Sequence, residues 1–598
     1  MAAKILRLGG NDRGGEGVSR QMFKKITDIN DKWTEESMEQ QITERESRYF
    51  GGVRDPLSGV AWPNHTGTAQ YLAAWAAALV NLQSRYYRDL ELLEQLHEGM
   101  AFMLRFQHED GTISPGWTNY HSPPDTAFVV VGLANILTLL ERQSWPPLKS
   151  VTDQIRVFLE RTIPAMLTGG VHTPNHRWVL TAALGSLYRI FALEELQARA
   201  GEWLQEGMDI TPDGEWTERS NGIYNTVSDI MLYYAARDLN RPELLEPVRQ
   251  NLRMMKYLVH PDGEVVTDYS GRQDFGSVYS LADYYLCYQL MAEHDRDPEF
   301  AALAELAGRS VMHPGSLPNQ IMLGFLLYPQ MHAGSVTPGE LPDSYRKVIN
   351  GTWSRQELIG LIGQGGYGGP VRHSKQHTEF GAPVARVRSG NTSVSVMTEA
   401  SSLFSLRHGR ARLLGVQLAS SFEPGLITMD TLTEISDGYL LESVAGKGYY
   451  GTIPADKLPS RTGLPTSPWY LLPHGERPLT HNQTSSVYVK VSEWEAGWDL
   501  HFSAASPADV LTQIVLLFGS EGRLEGSALT PVPGMSEASF WTAGTLRYST
   551  GEDWMELEQG CNEHHLADIR GMSYPEGCQK VIVTLITPLE YSLRIRLS

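Results

Sequence analysis

Between about Thr66 and Leu327 the apolar residues recur three and four positions apart, in runs of roughly 15 to 20 residues broken by short polar turns. This is the pattern of packed helices, and it predicts them at 67–87, 93–106, 126–143, 181–204, 228–239 and 277–294. One element recurs between them: FQHEDGTIS (106–114), ITPDGEWTE (210–218) and LVHPDGEVVT (258–267). Each sets Asp-Gly in a tight turn just after a predicted helix and follows it with a short extended stretch, as in an αα-hairpin array with one turn type along one rim. The pattern therefore predicts a helical toroid. Beyond about Val348 the period changes to two, with Val, Thr and Tyr abundant and Gly or Pro between the runs, as in 383–400, 485–504, 509–520, 545–550 and 580–597. This half is expected to be antiparallel β, built as stacked sheets. The boundary is expected between Pro329 and Gly351, giving domains 1–345 and 346–598.

Composition changes this picture little. A chain of 598 residues is too long for one core, and 41% hydrophobic with 20% charged residues is ordinary for a soluble protein. Its net charge of −19 excludes nucleic acid as the main partner, although a few arginines in one cleft can still set a positive local potential. Cys287, Cys561 and Cys578 are too few and too scattered for a disulfide framework. No run of eighteen apolar residues occurs, so no membrane partner is expected. The opening MAAKILRLGGNDRGGEG is polar where a leader needs an apolar stretch. These features predict a cytoplasmic protein, or a secreted one if a leader has been removed; they say nothing of oligomeric state.

Candidate chemistry concentrates in the turns of the helical half. WTNYHSPPDTAF (117–128) supplies Trp117, Asn119 and His121, with Asp125 as an N-cap or an acid. GGVHTPNHRWVL (169–180) supplies His172, Asn175, His176, Arg177 and Trp178. DGEWTERSNGIYNTVSD (213–229) supplies Arg219, Asn221, Tyr224 and Asn225, and DYSGRQDFG (268–276) supplies Tyr269 and Arg272. Amide, imidazole, guanidinium and phenol groups without an evident carboxylate pair suit elimination at a uronic acid. The C5 proton is weakly acidic, so the adjacent carboxylate must be neutralised and the aci-enolate stabilised. A Tyr or His then takes the proton, and a Tyr can protonate the leaving oxygen. Arg219 is close enough in sequence to be the cation that eases ionisation of Tyr224.

These motifs carry a resemblance. DGEWTERSNGIYNTVSD resembles the segment of chondroitin AC and hyaluronate lyases that opens on Asp-Gly plus an aromatic residue and ends in a Tyr, and HTPNHRW resembles their turn bearing the carboxylate-neutralising Asn. The resemblance implies an incomplete (α/α)6 toroid followed by an antiparallel β-sandwich, with Asn175 as the neutralising Asn and Tyr224 as base and acid. The family's His falls at Arg219, so His176 is the alternative imidazole, as in alginate lyase and heparinase relatives. Trp117, Asn119, His121, Arg177, Trp178, Asn221, Tyr269, Arg272 and His373 are the expected substrate-binding residues, His373 from the glycine-flanked stretch 363–381. The spacing of His373 and His377 would suit a metal only on a helix, which those glycines disfavour, so neither metal nor cofactor is expected.

Large aromatics beside these turns fit the flat faces of sugar rings, although each also fits the filling between helices. The expected partner is an acidic, uronate-containing oligo- or polysaccharide. Two other functions stay open on the sequence. One is a toroidal glycoside hydrolase such as an unsaturated glucuronyl hydrolase, using carboxylates among Asp125, Asp213 and Asp229. The other is a non-catalytic carbohydrate-binding protein.

Overall fold

The computed structural model describes residues 14–332, 336–362, 377–458, 469–572 and 576–598. They divide into two compact units. One comprises the chain to Pro342 together with Trp353–Gly381, and the other comprises Asp343–Thr352 together with Ala382–Ser598. Where the sequence pattern placed one boundary at 345, the division is interleaved: strand Ser344–Ile349 pairs with Val384–Ser389 in the β unit, and the chain between them returns to the helical unit.

In the helical unit two layers alternate along the chain. The inner helices Thr68–Val80, Pro123–Glu141, His176–Phe191, Tyr224–Asp238 and Tyr285–Asp295 pack each against the next, and Ile321–Leu327 closes back on the first two. Between them run the outer helices Leu90–Phe106, Lys149–Thr168, Glu194–Gln205, Leu245–Met255 and Pro298–Arg309. Gly14–Glu39 packs on the first and last inner helices. The inner helices are apolar almost all round because neighbours cover both faces. Pro123–Glu141 is long and apolar enough to cross a membrane by length and composition, and it lies buried in this inner layer. The predicted helix 181–204 is instead two, because Ala192 adopts a left-handed conformation (φ 52°, ψ 39°) that ends the first.

The three Asp-Gly turns are one structure built three times. In each, the Gly N–H donates to the carbonyl three residues back, at His108, Thr211 and His260, and that residue's N–H donates to the carbonyl just after the Gly. Gly111, Gly214 and Gly263 all have positive φ (84°, 103° and 89°), where an L side chain is strained. All three turns lie in connections from an outer to an inner helix, which places them at one end of the unit.

The β unit is a sandwich. One sheet has the order 344–349, 384–389, 392–397, 404–408, 411–420, 511–519, 578–586, 538–541 and 529–531; the other runs 523–526, 545–550, 553–558, 589–597, 497–504, 479–494, 438–450 and 431–435. Pairing is antiparallel except between 538–541 and 578–586. Leu589–Leu597 shows the period of two that predicted it: Tyr591, Leu593 and Ile595 enter the core while Glu590, Arg594 and Arg596 face water. None of the three cysteines is in a disulfide.

Candidate active site

All four polar clusters read from the sequence fall in outer-to-inner connections, so the helical fold brings them to the rim that carries the Asp-Gly turns. Their centre is a residue the sequence pattern did not single out, Glu218. Its Oε2 accepts from the Asn175 backbone N–H at 2.9 Å and from the Asn175 side-chain amide, and its Oε1 accepts from Arg272. Glu218 is 2% exposed. Burial pushes its carboxyl above the usual range, while Arg272 and Asn175 pull it back.

The Arg272 guanidinium also lies over the Tyr224 ring, 4.3 Å from its centroid, and the Tyr224 hydroxyl donates to Gln273 Oε1 at 3.3 Å. Burial raises the phenol above its ordinary value, Arg272 opposes the rise and Glu218 adds to it. The cation beside Tyr224 is thus Arg272 and not Arg219. Arg219, with φ 49°, turns its side chain fully inward, 4.6 Å over the Tyr269 ring, beside Glu215 at 3.7 Å and donating to the Glu379 carbonyl at 3.1 Å. That backbone conformation sends Glu218 and Arg219, neighbours in sequence, to different partners. Asp274, fully buried, accepts from Ser220, Ser270 and the Gly222 N–H and ties the Tyr224 turn to the Arg272 turn.

His176 opens the inner helix behind Asn175. Burial, then His172, Arg272 and His65, holds its pKa down to about 3, so the ring is neutral. His172 meets it edge-on at 4.8 Å, and Phe128 lies between His176 (6.3 Å) and His65 (4.3 Å, stacked). Burial also lowers the pKa of His65, against the pull of Asp125. Asn175 Oδ1 and His176 Nδ1 are buried and lack a hydrogen-bond partner among the described residues. His377 follows on the segment 353–381, its Nδ1 3.3 Å from Glu379 Oε1.

Other expected residues are committed elsewhere. Trp178 is fully buried against Trp216, with Arg177 over it at 4.6 Å, so it has no face to offer a sugar. Arg177 is spent on Asp209 (2.8 Å) and Glu206 (3.3 Å). Asn221 is buried and donates to the Val266 carbonyl, and Tyr269 is buried beneath Arg219. The structure corrects these four from substrate contacts to supports, because the outer-to-inner connections need internal hydrogen bonds and core of their own. Trp117 stays half exposed, edge-on to Trp62 at 6.1 Å; Asn119 donates to Asp125; His121 stacks on His108 at 3.8 Å and pairs with Asp110. His373 lies outside the described residues. Glu218 and His65 were missed, although Glu218 directly precedes Arg219 in a motif already singled out and His65 follows Trp62 in WPNH. Among the described residues no group of His, Cys, Asp and Glu could hold a metal.

No family model and no curated protein matches the chain. Solved structures match its fold. A heparinase III is 10% identical with a TM-score of 0.50, over 98% of this chain and 92% of its own. A chondroitinase AC lyase, studied in complexes with oligosaccharides, is 10% identical with a TM-score of 0.50, over 97% of this chain and 83% of its own. The chain therefore has the fold of the polysaccharide lyases that pair an incomplete (α/α)6 toroid with an antiparallel β-sandwich.

Proposed function

We propose that this protein is an enzyme, a lyase that cleaves a uronate-containing glycan by β-elimination and leaves a 4,5-unsaturated uronate. The observation that carries this reading is the cluster of buried Asn175 and Glu218 with partly exposed Arg272 and Tyr224 at the rim of the helical unit. Asn175 and Arg272 supply the amide and guanidinium that neutralise the substrate carboxylate and spread the charge of the aci-enolate. Tyr224, with its hydroxyl toward Gln273 and Arg272 over its ring, is the base for the C5 proton and returns a proton to the leaving glycosidic oxygen. Neutral His176 lines the site as a hydrogen-bonding group, since a ring with so low a pKa is a weak base.

Two observations weigh against the hydrolase. Asp125 accepts from Ser122 and Asn119 at a helix start, and Asp229 is fully buried and accepts from Trp216, so both are engaged in internal hydrogen bonds. The test is a panel of uronate glycans followed by the ultraviolet absorbance of the new conjugated double bond. Cleavage without that signal defeats the lyase reading. Tyr224→Phe is expected to lower kcat/KM by about 10²–10⁴-fold, and Asn175→Ala by about 10²–10³-fold, both with an unchanged circular dichroism spectrum. A fully active Tyr224→Phe removes Tyr224 from the mechanism.

A further inference from the structure

The groups that the proposed reaction needs for a substrate carboxylate are already holding one. All the N–H donors of Asn175 are committed: the backbone N–H and one amide hydrogen go to Glu218 Oε2, and the side-chain nitrogen also reaches Thr173 Oγ1 at 3.3 Å. Arg272 gives Nη1 to Glu218 Oε1 and Nε to Gln273. Both oxygens of Glu218 are thus bound, by a backbone N–H, a side-chain amide and a guanidinium, in a place closed to water. That is the arrangement of a carboxylate-binding site with a carboxylate in it. A second carboxylate brought to the same donors would place two like charges against one cation in a buried setting, which is strongly unfavourable.

We propose that Glu218 is the resident occupant of the carboxylate position of this site, and that a uronate engages Asn175 and Arg272 by displacing it. The inference rests on the lyase reading for the identity of the incoming ligand. Glu218 keeps the partly buried guanidinium paired and the amide oriented, so the donors are preorganised for a planar anion. In exchange, every uronate must compete with a tethered internal carboxylate, which weakens its binding.

The experiment removes the occupant and adds a free one. Full-length wild type and Glu218→Ala are titrated with acetate and with D-glucuronate by calorimetry, and their melting is followed with and without acetate. Glu218→Ala is expected to bind acetate at least about tenfold more tightly than wild type, and acetate should raise the melting temperature of the variant alone. The gain should vanish in Glu218→Ala/Asn175→Ala. If Glu218→Ala does not fold, Glu218→Gln decides: it keeps the volume without the charge and is expected to bind D-glucuronate more tightly than wild type does. Carboxylate binding no tighter than wild type in the folded variant overturns the proposal. Acetate binding requires no turnover, so a variant that binds acetate in a protein that cleaves no uronate glycan sinks the lyase reading, and the uronate with it, and leaves Glu218 as the occupant of a carboxylate position.

Discussion

At the scale of single residues, the ionisation of Tyr224 is set by burial and by charged neighbours that do not act alike. Burial and the Glu218 charge hold the proton on the phenol, and Arg272 favours its loss. Replacing Arg272 by Met removes the only one of these three that lowers the pKa, so the limb of the pH–rate profile along which kcat/KM rises with Tyr224 ionisation should move to higher pH. A limb that stays in place shows that another group is the base. Asp229 is a second residue whose charge matters. It is fully buried, and burial raises its carboxyl well above the ordinary value against one hydrogen bond from Trp216. A raised carboxyl pKa in the fold means that the folded state keeps a proton the unfolded chain releases, so stability is lost as pH climbs from the unfolded value toward the folded one. Asp229→Asn has nothing to release. Relative to wild type, its thermal stability should be similar below about pH 4 and should gain by up to about 1.4 kcal/mol per pH unit above that, as read from melts across the pH range.

At the scale of elements, the Asp-Gly turns are the repeated part that orients the rim. Gly214 has φ 103°, and a Cβ there would lie 2.4 Å from the Gln250 carbonyl oxygen, so neither backbone nor space admits a side chain. Gly214→Ala should cost more than about 2 kcal/mol and, because the same turn leads to Glu218, should lower kcat/KM by more than the stability loss explains. A variant as stable as wild type would show that the turn can relax. Recognition of the helices from sequence follows the density of apolar residues, and the outer helix Leu90–Phe106 was predicted at 93–106 along with the inner ones. Inner helices such as Pro123–Glu141 announce themselves by dense apolar runs. The outer helices Lys149–Thr168, Leu245–Met255 and Pro298–Arg309 were passed over because they bury one face only and their charged residues dilute the signal.

At the scale of the whole molecule, the interleaved division has a testable consequence. Within the helical unit Glu215 accepts from the Gly381 N–H at 2.8 Å, and the buried Arg219 donates to the Glu379 carbonyl. A chain ending at Pro342 loses both partners, whereas one ending at Gly381 keeps them. The shorter truncation should be less stable, at about 1.5–3 kcal/mol for each lost hydrogen bond to a charged group, and more readily proteolysed; equal protease resistance would show that the segment 353–381 is dispensable. The sequence by itself determined the two classes of secondary structure, the repeated turn and the placing of Asn175, Tyr224 and Arg272 in polar turns between helices, because hydrophobic period, Asp-Gly and residue type are local properties. Only the tertiary structure decided which cation faces Tyr224, that Glu218 sits at the hub, and that Arg177, Trp178, Asn221 and Tyr269 are supports. Those assignments follow from which side chain turns inward at the rim, and a single left-handed residue such as Arg219 redirects its neighbours in a way no spacing rule encodes.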